Sequence, residues 1–392
     1  MPGQTASLSL VESAEVRQLR ATVRAIAKRY GHDYFVTISR AGENPTALWA
    51  ELGGAGLLGV AIPEEHGGGG GTFSDLAIVT EELAANGIPL MLLALSPAVC
   101  ATIIGEVGSD ALRRTWLPGL ASGEKVMAFA ITEPEAGSNT HRIRTKAQRT
   151  ESGWVISGGK QYVSHVDNAD AMLVVTRTAE PDERGRGSLS LFVVDVDAPG
   201  VGRSPIPVEL TSPERQFTVT FDDVHVDENA LVGEADRGLG ALFHGLNPER
   251  IGSAALLVGI GRYALDKAAR YARERSVWGV PIGTHQGVAH PLAKAHIEVE
   301  AARHMTSRAA ALYDARLSQA PAAANMAKYL AGEAAAHALD AAIQTHGGNG
   351  MATEYGLATL IGLVRLFRIA PVSSEMVLNH IAQHELGLPK SY

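Results

Sequence analysis

The sequence is poor in cysteine and in long apolar runs, and each shortage excludes a class of protein. Its 392 residues include one cysteine, Cys100, so no disulfide can form within the chain. Apolar residues make up 46% of the chain, yet no run of about 18 purely apolar residues occurs, so no membrane span is predicted. Residues 1–20 also lack the apolar core of a secretory signal peptide. We therefore expect a cytoplasmic globular protein in which Cys100 is a buried apolar residue.

An excess of positive charge and the residue spacings of metal sites are missing as well. Lysine and arginine total 34 against 42 acidic residues, and the net charge of −8 does not favour nucleic acid as a partner. His285, His290 and His296 follow no His-Glu-x-x-His spacing, and no cysteine pair accompanies them, so no metal is predicted. The five glycines at 67–71 lack the Gly-Lys-Ser/Thr ending of a phosphate-binding loop and predict a flexible connection.

The spacing of apolar residues divides the chain into three parts. Residues 10–125 have helical spacing, with Asp75 and Ser109 as signals for helix starts. Short β-rich runs separated by Gly, Pro and Asp follow, and from about residue 240 long Ala/Leu-rich stretches return to helical spacing. The predicted fold class is α+β, with an N-terminal helical domain (1–125), a middle antiparallel β domain (126–235) and a C-terminal four-helix-bundle domain (236–392).

Two polar clusters in the middle part carry the strongest chemical signal. The first is Thr-Glu-Pro-Glu-Ala-Gly-Ser-Asn at residues 132–139, and the second is Gly-Lys-Gln-Tyr-Val-Ser at residues 159–164. The first offers hydroxyls and backbone N–H groups in a tight turn, and the second offers an aromatic face and a hydroxyl on a strand. Such groups suit an isoalloxazine ring, a flat apolar plate with polar edges. An ordinary turn between two strands would also explain the first cluster by itself.

Two further motifs lie in the C-terminal part. Arg-Ser-Val-Trp-Gly at residues 275–279 follows a helix with several basic residues at its end, which a simple helix C-terminus would also explain. Gln-Thr-His-Gly-Gly-Asn-Gly at residues 344–350 places three glycines in four positions, where a helix C-cap needs only one. Glycines in such a run let the backbone approach a diphosphate closely.

Together these motifs resemble those of the acyl-CoA dehydrogenase family, and the resemblance covers nearly the whole chain. It implies FAD as cofactor, an acyl-CoA substrate, an electron-transfer flavoprotein as acceptor, and a homotetramer or homodimer in which FAD contacts a neighbouring subunit. The residues that it implies for FAD are Phe129, Ile131, Thr132, Ser138, Tyr162, Ser164, Arg275, Val277, Trp278, Gln286, Gln344, Gly347, Gly348, Ser373 and Glu375. Those that it implies for the substrate are Ser138, Asn247, Arg250 and Val372.

The resemblance also implies a carboxylate base, and here the sequence departs from the commoner family pattern. Counting from Gly348, the position of the family's usual glutamate is Pro371, which cannot accept a proton. A minority of the family, including enzymes like isovaleryl- and long-chain acyl-CoA dehydrogenases, carries the base on an upstream helix. The matching residue is Glu249, within Asn-Pro-Glu-Arg at residues 247–250. Glu249 is therefore the predicted catalytic base.

The local chemistry of Glu249 and Pro371 adds two expectations. Asn247 is predicted as N-cap and Pro248 as first helical residue, so the helix dipole would favour the Glu249 carboxylate while an apolar acyl pocket opposes it. That opposition predicts a pKa near neutrality, although an acid in a first helical turn is also common without any function. Pro371 lacks the N–H that polarises the thioester carbonyl in relatives. The Val372 N–H, a flavin hydroxyl or an unusual substrate would account for that loss.

Three functional hypotheses follow. The first is a dehydrogenase that forms a trans-2-enoyl-CoA, and the second is a flavin oxidase or monooxygenase of the same fold that uses O₂. The third is a flavin-binding, weakly catalytic partner subunit of a hetero-oligomer. Acyl chain length and branching do not follow from the sequence. The apolar segment at residues 88–95 fits the wall of an acyl tunnel and a packed core equally well.

Overall fold

A computed structural model describes residues 12–180 and 188–390. The described part begins with helices that pack on one another and on the C-terminal domain. Their bounds are α1 Ala14–Ala41, α2 Thr46–Gly54, α3 Phe73–Ala85, α4 Leu92–Leu95, α5 Thr102–Val107 and α6 Asp110–Ser122, with a π-helical turn, Ser96–Ala101, between α4 and α5. Ser109 caps α6 as predicted, since its hydroxyl accepts the Leu112 N–H at 3.2 Å. Asp75 instead lies inside α3, which starts at Phe73, and its carboxylate accepts the Thr72 N–H at 2.8 Å.

The middle of the chain folds into one twisted sheet. Its strands are β1 Met127–Ala130, β2 Lys146–Thr150, β3 Gly153–Ser164, β4 Ala171–Arg177, β5 Leu189–Asp195, β6 Val201–Ile206, β7 Gln216–Val226 and β8 Leu231–Val232. The strand order is β6-β7-β3-β2-β4-β5-β8, and most neighbours are antiparallel as predicted. β1 differs, because it pairs in parallel with β4, from Met127 opposite Ala171 to Ala130 opposite Val174.

Long helices form the C-terminal part of the chain. They are α7 Gly238–Glu274, α8 Gln286–Asp314 and α9 Ala320–His346, followed by α10 Ile361–Ile369 and α11 Ser374–His384. A short hairpin, β9 Ser276–Val277 with β10 Val280–Pro281, connects α7 to α8. Within the described ranges, no helix is both long enough and apolar enough to cross a membrane.

α7 is the element on which the parts of the molecule meet. Its central residues, including Ile251, Leu257 and Ile260, lie in a buried core with α3, α8 and α9. Nearer its start, Ala241 and Leu242 belong to a second core that contains Cys100 and residues of β1, β4 and β5. Residues 88–95 contribute Ile88, Leu90, Leu92 and Leu93 to a third core with α1 and α2, so this segment packs the N-terminal domain.

Candidate active site

The turn that follows β1 is held against β3 by backbone hydrogen bonding. The ladder between β3 and β7 shifts register twice, first between Ile156 and Gly158 and again between Lys160 and Val163. At the second shift Lys160 lies opposite Val219 and Val163 opposite Phe217, so β3 carries an extra residue there. This bulge directs the Gln161 N–H away from β7, and it donates to the Thr132 carbonyl at 2.8 Å. The two polar clusters of the sequence are therefore neighbours in space.

Tyr162 lies within the same bulge in a conformation that leaves its ring available. Its φ is +57° and its side chain is 55% exposed, although it lies between the buried residues Lys160 and Val163. Ser164 ends the strand and exchanges hydrogen bonds with the amide of Gln216, at 2.9 and 3.1 Å. An exposed aromatic face beside hydroxyls and a tight turn fits the isoalloxazine ring that the sequence predicts at this place.

Glu249 lies in the interior of α7, and the predicted helix start is wrong. α7 begins at Gly238, nine residues before Asn247, so Asn247 is no N-cap and Pro248 is not the first helical residue. Pro248 has no N–H for the carbonyl of His244, four residues earlier, and the Tyr313 hydroxyl donates to that carbonyl instead, at 3.0 Å. The helix dipole is therefore not what acts on the Glu249 carboxylate.

Burial controls the ionisation of Glu249. The residue is 9% exposed, and burial raises the pKa of its carboxyl to about 7, while the adjacent positive charge of Arg250 opposes the rise. Among the described residues, none donates a hydrogen bond to this carboxylate. A pKa near neutrality was predicted correctly. The effect that opposes burial is the positive charge of Arg250, however, and not the helix dipole.

The Glu249 carboxylate belongs to the α7 face that points at β1. Leu242, Leu246 and Glu249 follow one another at spacings of four and three residues, which places them on one side of the helix. Leu246 packs in the same core as Phe129 and Ile131. Cys100 is close enough for Glu249 to raise the pKa of its thiol, together with burial, and its Sγ lies 3.6 Å from the Ala128 carbonyl. The predicted base and the predicted flavin residues of β1 thus share one neighbourhood.

The other side of α7 joins the remaining predicted substrate residues. Arg250 donates to the Asn247 side-chain oxygen at 2.9 Å, and its Nε is buried with no partner in the part of the chain that the structure describes. The charge of Arg250 acts on Lys328 of α9, whose ammonium donates to the carbonyl of Val372. Lys328 is not among the residues predicted for the site, because one lysine in an Ala-rich helix gives no signal that it is buried.

The segment that ends in α11 places Ser373 and Glu375 at the start of a helix. The Ser373 hydroxyl caps α11 by accepting the Met376 N–H at 3.3 Å. A backbone hydrogen bond at Glu375 itself, and then a hydrogen bond from the Ser373 side chain, lower the pKa of the Glu375 carboxyl. Ser373 directly follows Val372, whose carbonyl accepts the Lys328 hydrogen bond, and Glu375 lies two residues further on.

A separate group of predicted cofactor residues surrounds the far end of α7. Arg275 is exposed directly after the helix, and Trp278, at the tip of the β9–β10 hairpin, has a φ of +54° and is 88% exposed. The end of α9 packs on this part of α7, with the ring of His346 stacked on that of Tyr271 at a centroid distance of 4.2 Å. Gly347 caps α9 with a φ of +58°. Of the other residues predicted to bind FAD here, Val277 lies in β9, Gln286 begins α8, Gln344 lies in the last turn of α9 and Gly348 follows that helix.

The two groups of predicted cofactor residues lie at different places along α7. Glu249 and Arg275 are 26 positions apart on α7 and its end, so at about 1.5 Å per residue they are separated by about 39 Å. A cavity of about 600 Å³ adjoins Asn247, Phe243 and His244, but Glu249 does not line it. In the described ranges no cluster of His, Cys, Asp or Glu could hold a metal ion.

Family models match the chain along nearly its whole length. The N-terminal, middle and C-terminal domain models of acyl-CoA dehydrogenase match residues 13–124, 128–224 and 236–386. The chain belongs to the acyl-CoA dehydrogenase family. This confirms the family, the enzyme class and the three-part α+β architecture that the sequence predicts.

Known acyl-CoA dehydrogenases and related proteins resemble the chain over its full length. The acyl-CoA dehydrogenase fadE12 of Mycobacterium tuberculosis is 52% identical over 385 residues, which cover 98% of this chain and 99% of that protein. A glutaryl-coenzyme A dehydrogenase solved with glutaryl-CoA superposes with a TM-score of 0.91 at 29% identity, covering 98% of each chain. A structure described as the FAD complex of PigA has a TM-score of 0.89 at 26% identity and covers 97% of this chain and 100% of the other.

Proposed function

We propose that this protein catalyses the FAD-dependent α,β-dehydrogenation of an acyl-CoA thioester to a trans-2-enoyl-CoA, with Glu249 as the base. The observation that carries the proposal is a buried carboxylate with a pKa of about 7 on α7, close to Cys100 and to the core that contains Phe129 and Ile131. Family membership supplies the reaction class, and FAD, when bound, accepts the hydride that leaves the β-carbon.

Glu249 is suited to remove the α-proton of a thioester at neutral pH. A carboxylate in water has a pKa near 4.5 and is a weak base, whereas burial makes the Glu249 carboxylate a stronger acceptor. It is ionised in about half of the molecules at pH 7. Arg250 stabilises the ionised form and keeps the pKa from rising further.

Pro371 removes one donor from the site, and the surrounding residues compensate in part. In our proposal, the Val372 N–H takes over as donor to the thioester carbonyl, and Lys328 fixes that residue by its hydrogen bond to the Val372 carbonyl. The Ser138 hydroxyl, which follows the exposed Pro134–Glu135 turn, and Asn247 are proposed contacts of the CoA part.

We further propose that FAD is bound between two copies of the chain. One copy supplies Thr132, Tyr162 and their neighbours, and a second copy supplies Arg275, Trp278 and the glycines after α9. The separation of about 39 Å along α7 supports this division. The exposed Trp278 ring is also a surface that a ligand or a partner chain would cover. A homotetramer or homodimer is the expected assembly, and the cytoplasm remains the expected compartment.

The decisive experiment is anaerobic reduction of the bound flavin by a panel of acyl-CoA thioesters of different length and branching. We expect loss of flavin absorbance with at least one thioester, and a loss of rate by orders of magnitude in Glu249→Gln with substrate binding retained. Glu298→Gln, the same change at a surface position of α8, is the control and should leave the rate unchanged. Undiminished reduction in Glu249→Gln would contradict the assignment of the base.

The same panel tests the other two functions. Reduced enzyme that reoxidises slowly in air, and quickly with an electron-transfer flavoprotein, supports the dehydrogenase. Rapid reoxidation by O₂ would instead indicate an oxidase or monooxygenase. A yellow protein that no thioester bleaches would indicate a weakly catalytic partner subunit.

A further inference from the structure

Two buried, oppositely charged residues connect the turn after β1 with strand β3. Lys160 is fully buried on β3, and its Nζ lies 2.8 Å from Oε1 of Glu133, which is 7% exposed within the turn. Lys160 also donates to the Ile131 carbonyl at 3.0 Å. Its ammonium therefore holds the chain on both sides of Thr132.

Further bonds extend this contact into the sheet. The Glu133 carboxylate accepts the backbone N–H groups of Arg144 at 2.7 Å and Thr145 at 3.0 Å, at the entrance to β2. The Thr145 hydroxyl donates to the carbonyl of Gly159, next to Lys160, at 3.1 Å. The pair thus lies where the turn, β2 and β3 meet.

Both residues are charged at neutral pH. Burial lowers the pKa of Lys160 to about 8, against the attraction of Glu133. Burial alone would raise the pKa of Glu133, but the charge of Lys160 and the hydrogen bonds that the carboxylate accepts lower it below its usual value. A buried ion pair gives little net stability, since apolar residues of similar size would often serve equally well. Apolar residues could not reproduce the directed hydrogen bonds by which this pair joins the turn to β2 and β3.

We propose that Glu133 and Lys160 are positioning residues for FAD, because they fix the Thr132 turn against the strand that presents Tyr162. A backbone hydrogen bond also joins the turn to β3, since the Gln161 N–H, next to Lys160, donates to the carbonyl of Thr132, next to Glu133. Without the pair, the Thr132 turn and Tyr162 could move relative to each other. The hydroxyl and N–H groups of the turn would then no longer reach the edge of the isoalloxazine ring while Tyr162 contacts its face. This proposal rests on the flavin site proposed above.

Four variants of the full-length holoenzyme test it: Lys160→Met, Glu133→Gln, the double variant and Glu133→Asp. The measurements are Tm, the Kd for FAD and the visible absorbance band of the bound flavin. Each single variant leaves one buried charge without its partner, so both should lose Tm. The double variant should recover much of the Tm, while its Kd for FAD stays at least tenfold above wild type and its flavin band stays shifted.

The controls separate positioning from a general effect on folding. Arg149 and Glu228 form an exposed pair of similar length in the same domain, at 2.8 Å, and Arg149→Met should change neither Kd nor spectrum. Glu133→Asp keeps the charge but withdraws the carboxylate by one methylene, and it should weaken FAD binding even if the other variants do not fold. A double variant whose FAD affinity recovers together with its Tm would overturn the proposal, as would a Glu133→Asp variant within twofold of wild type. Wild-type protein that binds no FAD would refute the proposed function instead.

Discussion

The ammonium of Lys328 donates a hydrogen bond to the backbone carbonyl of Val372, across the gap between α9 and the segment before α11. Lys328 is 1% exposed, and burial lowers the pKa of its ammonium to about 8. The charged groups that face it are Glu375 of α11, Arg250 of α7, Glu333 of α9 and Arg368 of α10. The buried Lys328 side chain therefore lies between two residues proposed for substrate: it bonds to Val372 and it faces Arg250.

Replacing Lys328 by Met should impair substrate binding more than the chemical step. A hydrogen bond to a charged group contributes about 1.5–3 kcal/mol. Because this bond acts on substrate only by fixing Val372, no more than that amount should reach binding, so KM should rise by up to about tenfold or more while kcat changes less. In wild type the ammonium is protonated below pH 8, so KM should rise above that pH and should become independent of pH in Lys328→Met. Equal pH dependence in both proteins would contradict this role, and recovery in Lys328→Arg would support it.

The rate of flavin reduction should depend on the ionisation of Glu249. The base is active when deprotonated, and its pKa is about 7, so kcat/KM should fall about tenfold per pH unit below pH 7 and level off above it. Stopped-flow reduction of the flavin by a good thioester, measured between pH 5.5 and 8, gives this acidic limb of the pH profile. The limb should vanish in Glu249→Gln, whose residual rate has no titrating carboxylate. A wild-type rate that stays constant over this pH range would mean that the Glu249 carboxyl is solvated in the working enzyme, with its pKa near the usual 4.5.

A carboxylate at position 371 should restore part of the activity that Glu249→Gln loses. Pro371→Glu returns both an acid and a backbone N–H to the place that most relatives use. If the segment held by Lys328 has kept that geometry, the double variant should show measurable flavin reduction above that of Glu249→Gln. Pro371→Gln in the same background restores the N–H alone and is the matched control. Equal rates in the two double variants would exclude a contribution from the new carboxylate.

Removal of the charge at Arg275 should weaken FAD retention. A charge-assisted hydrogen bond to a phosphate contributes more than a neutral one. Among the described residues, the exposed Arg275 has no acidic partner and is free to bind a phosphate. Arg275→Ala should therefore raise the Kd for FAD about tenfold. Flavin content after gel filtration and the Kd from dilution measure the effect. Arg273→Ala, also exposed and two residues earlier, should behave like wild type. Loss of flavin in both variants would point to net charge and not to a specific contact.

Tyr313→Phe should destabilise α7 close to the base. The variant leaves the His244 carbonyl without a donor, because Pro248 cannot supply one, and a lost hydrogen bond of this kind costs about 1–3 kcal/mol when the site stays dry. Chemical denaturation measures the free energy of unfolding. Tyr30→Phe removes a hydroxyl that bonds Glu51 in a partly buried place, and it should cost less.

Local signals in the sequence predicted the elements well and their long-range contacts less well. Ser109 and the short β-rich runs of the sheet act through near neighbours, so their positions follow from the sequence. Pro248 was placed at a helix start, because proline inside a helix ordinarily leaves a carbonyl without a donor. The donor is Tyr313, 65 residues later, and nothing in the local sequence announces it. The Glu133–Lys160 pair was missed for a related reason, since its members lie 27 positions apart and no local signal marks their contact.

The position of Cys100 has a practical consequence. The chain has one thiol, which is fully buried beside Glu249 and carries a raised pKa, so it should resist thiol reagents while α7 stays packed on the Ser96–Ala101 turn. Its labelling rate in native buffer then reports how often this contact opens, without any engineered probe. Slower labelling in the presence of an acyl-CoA would show that ligand closes the region around the base.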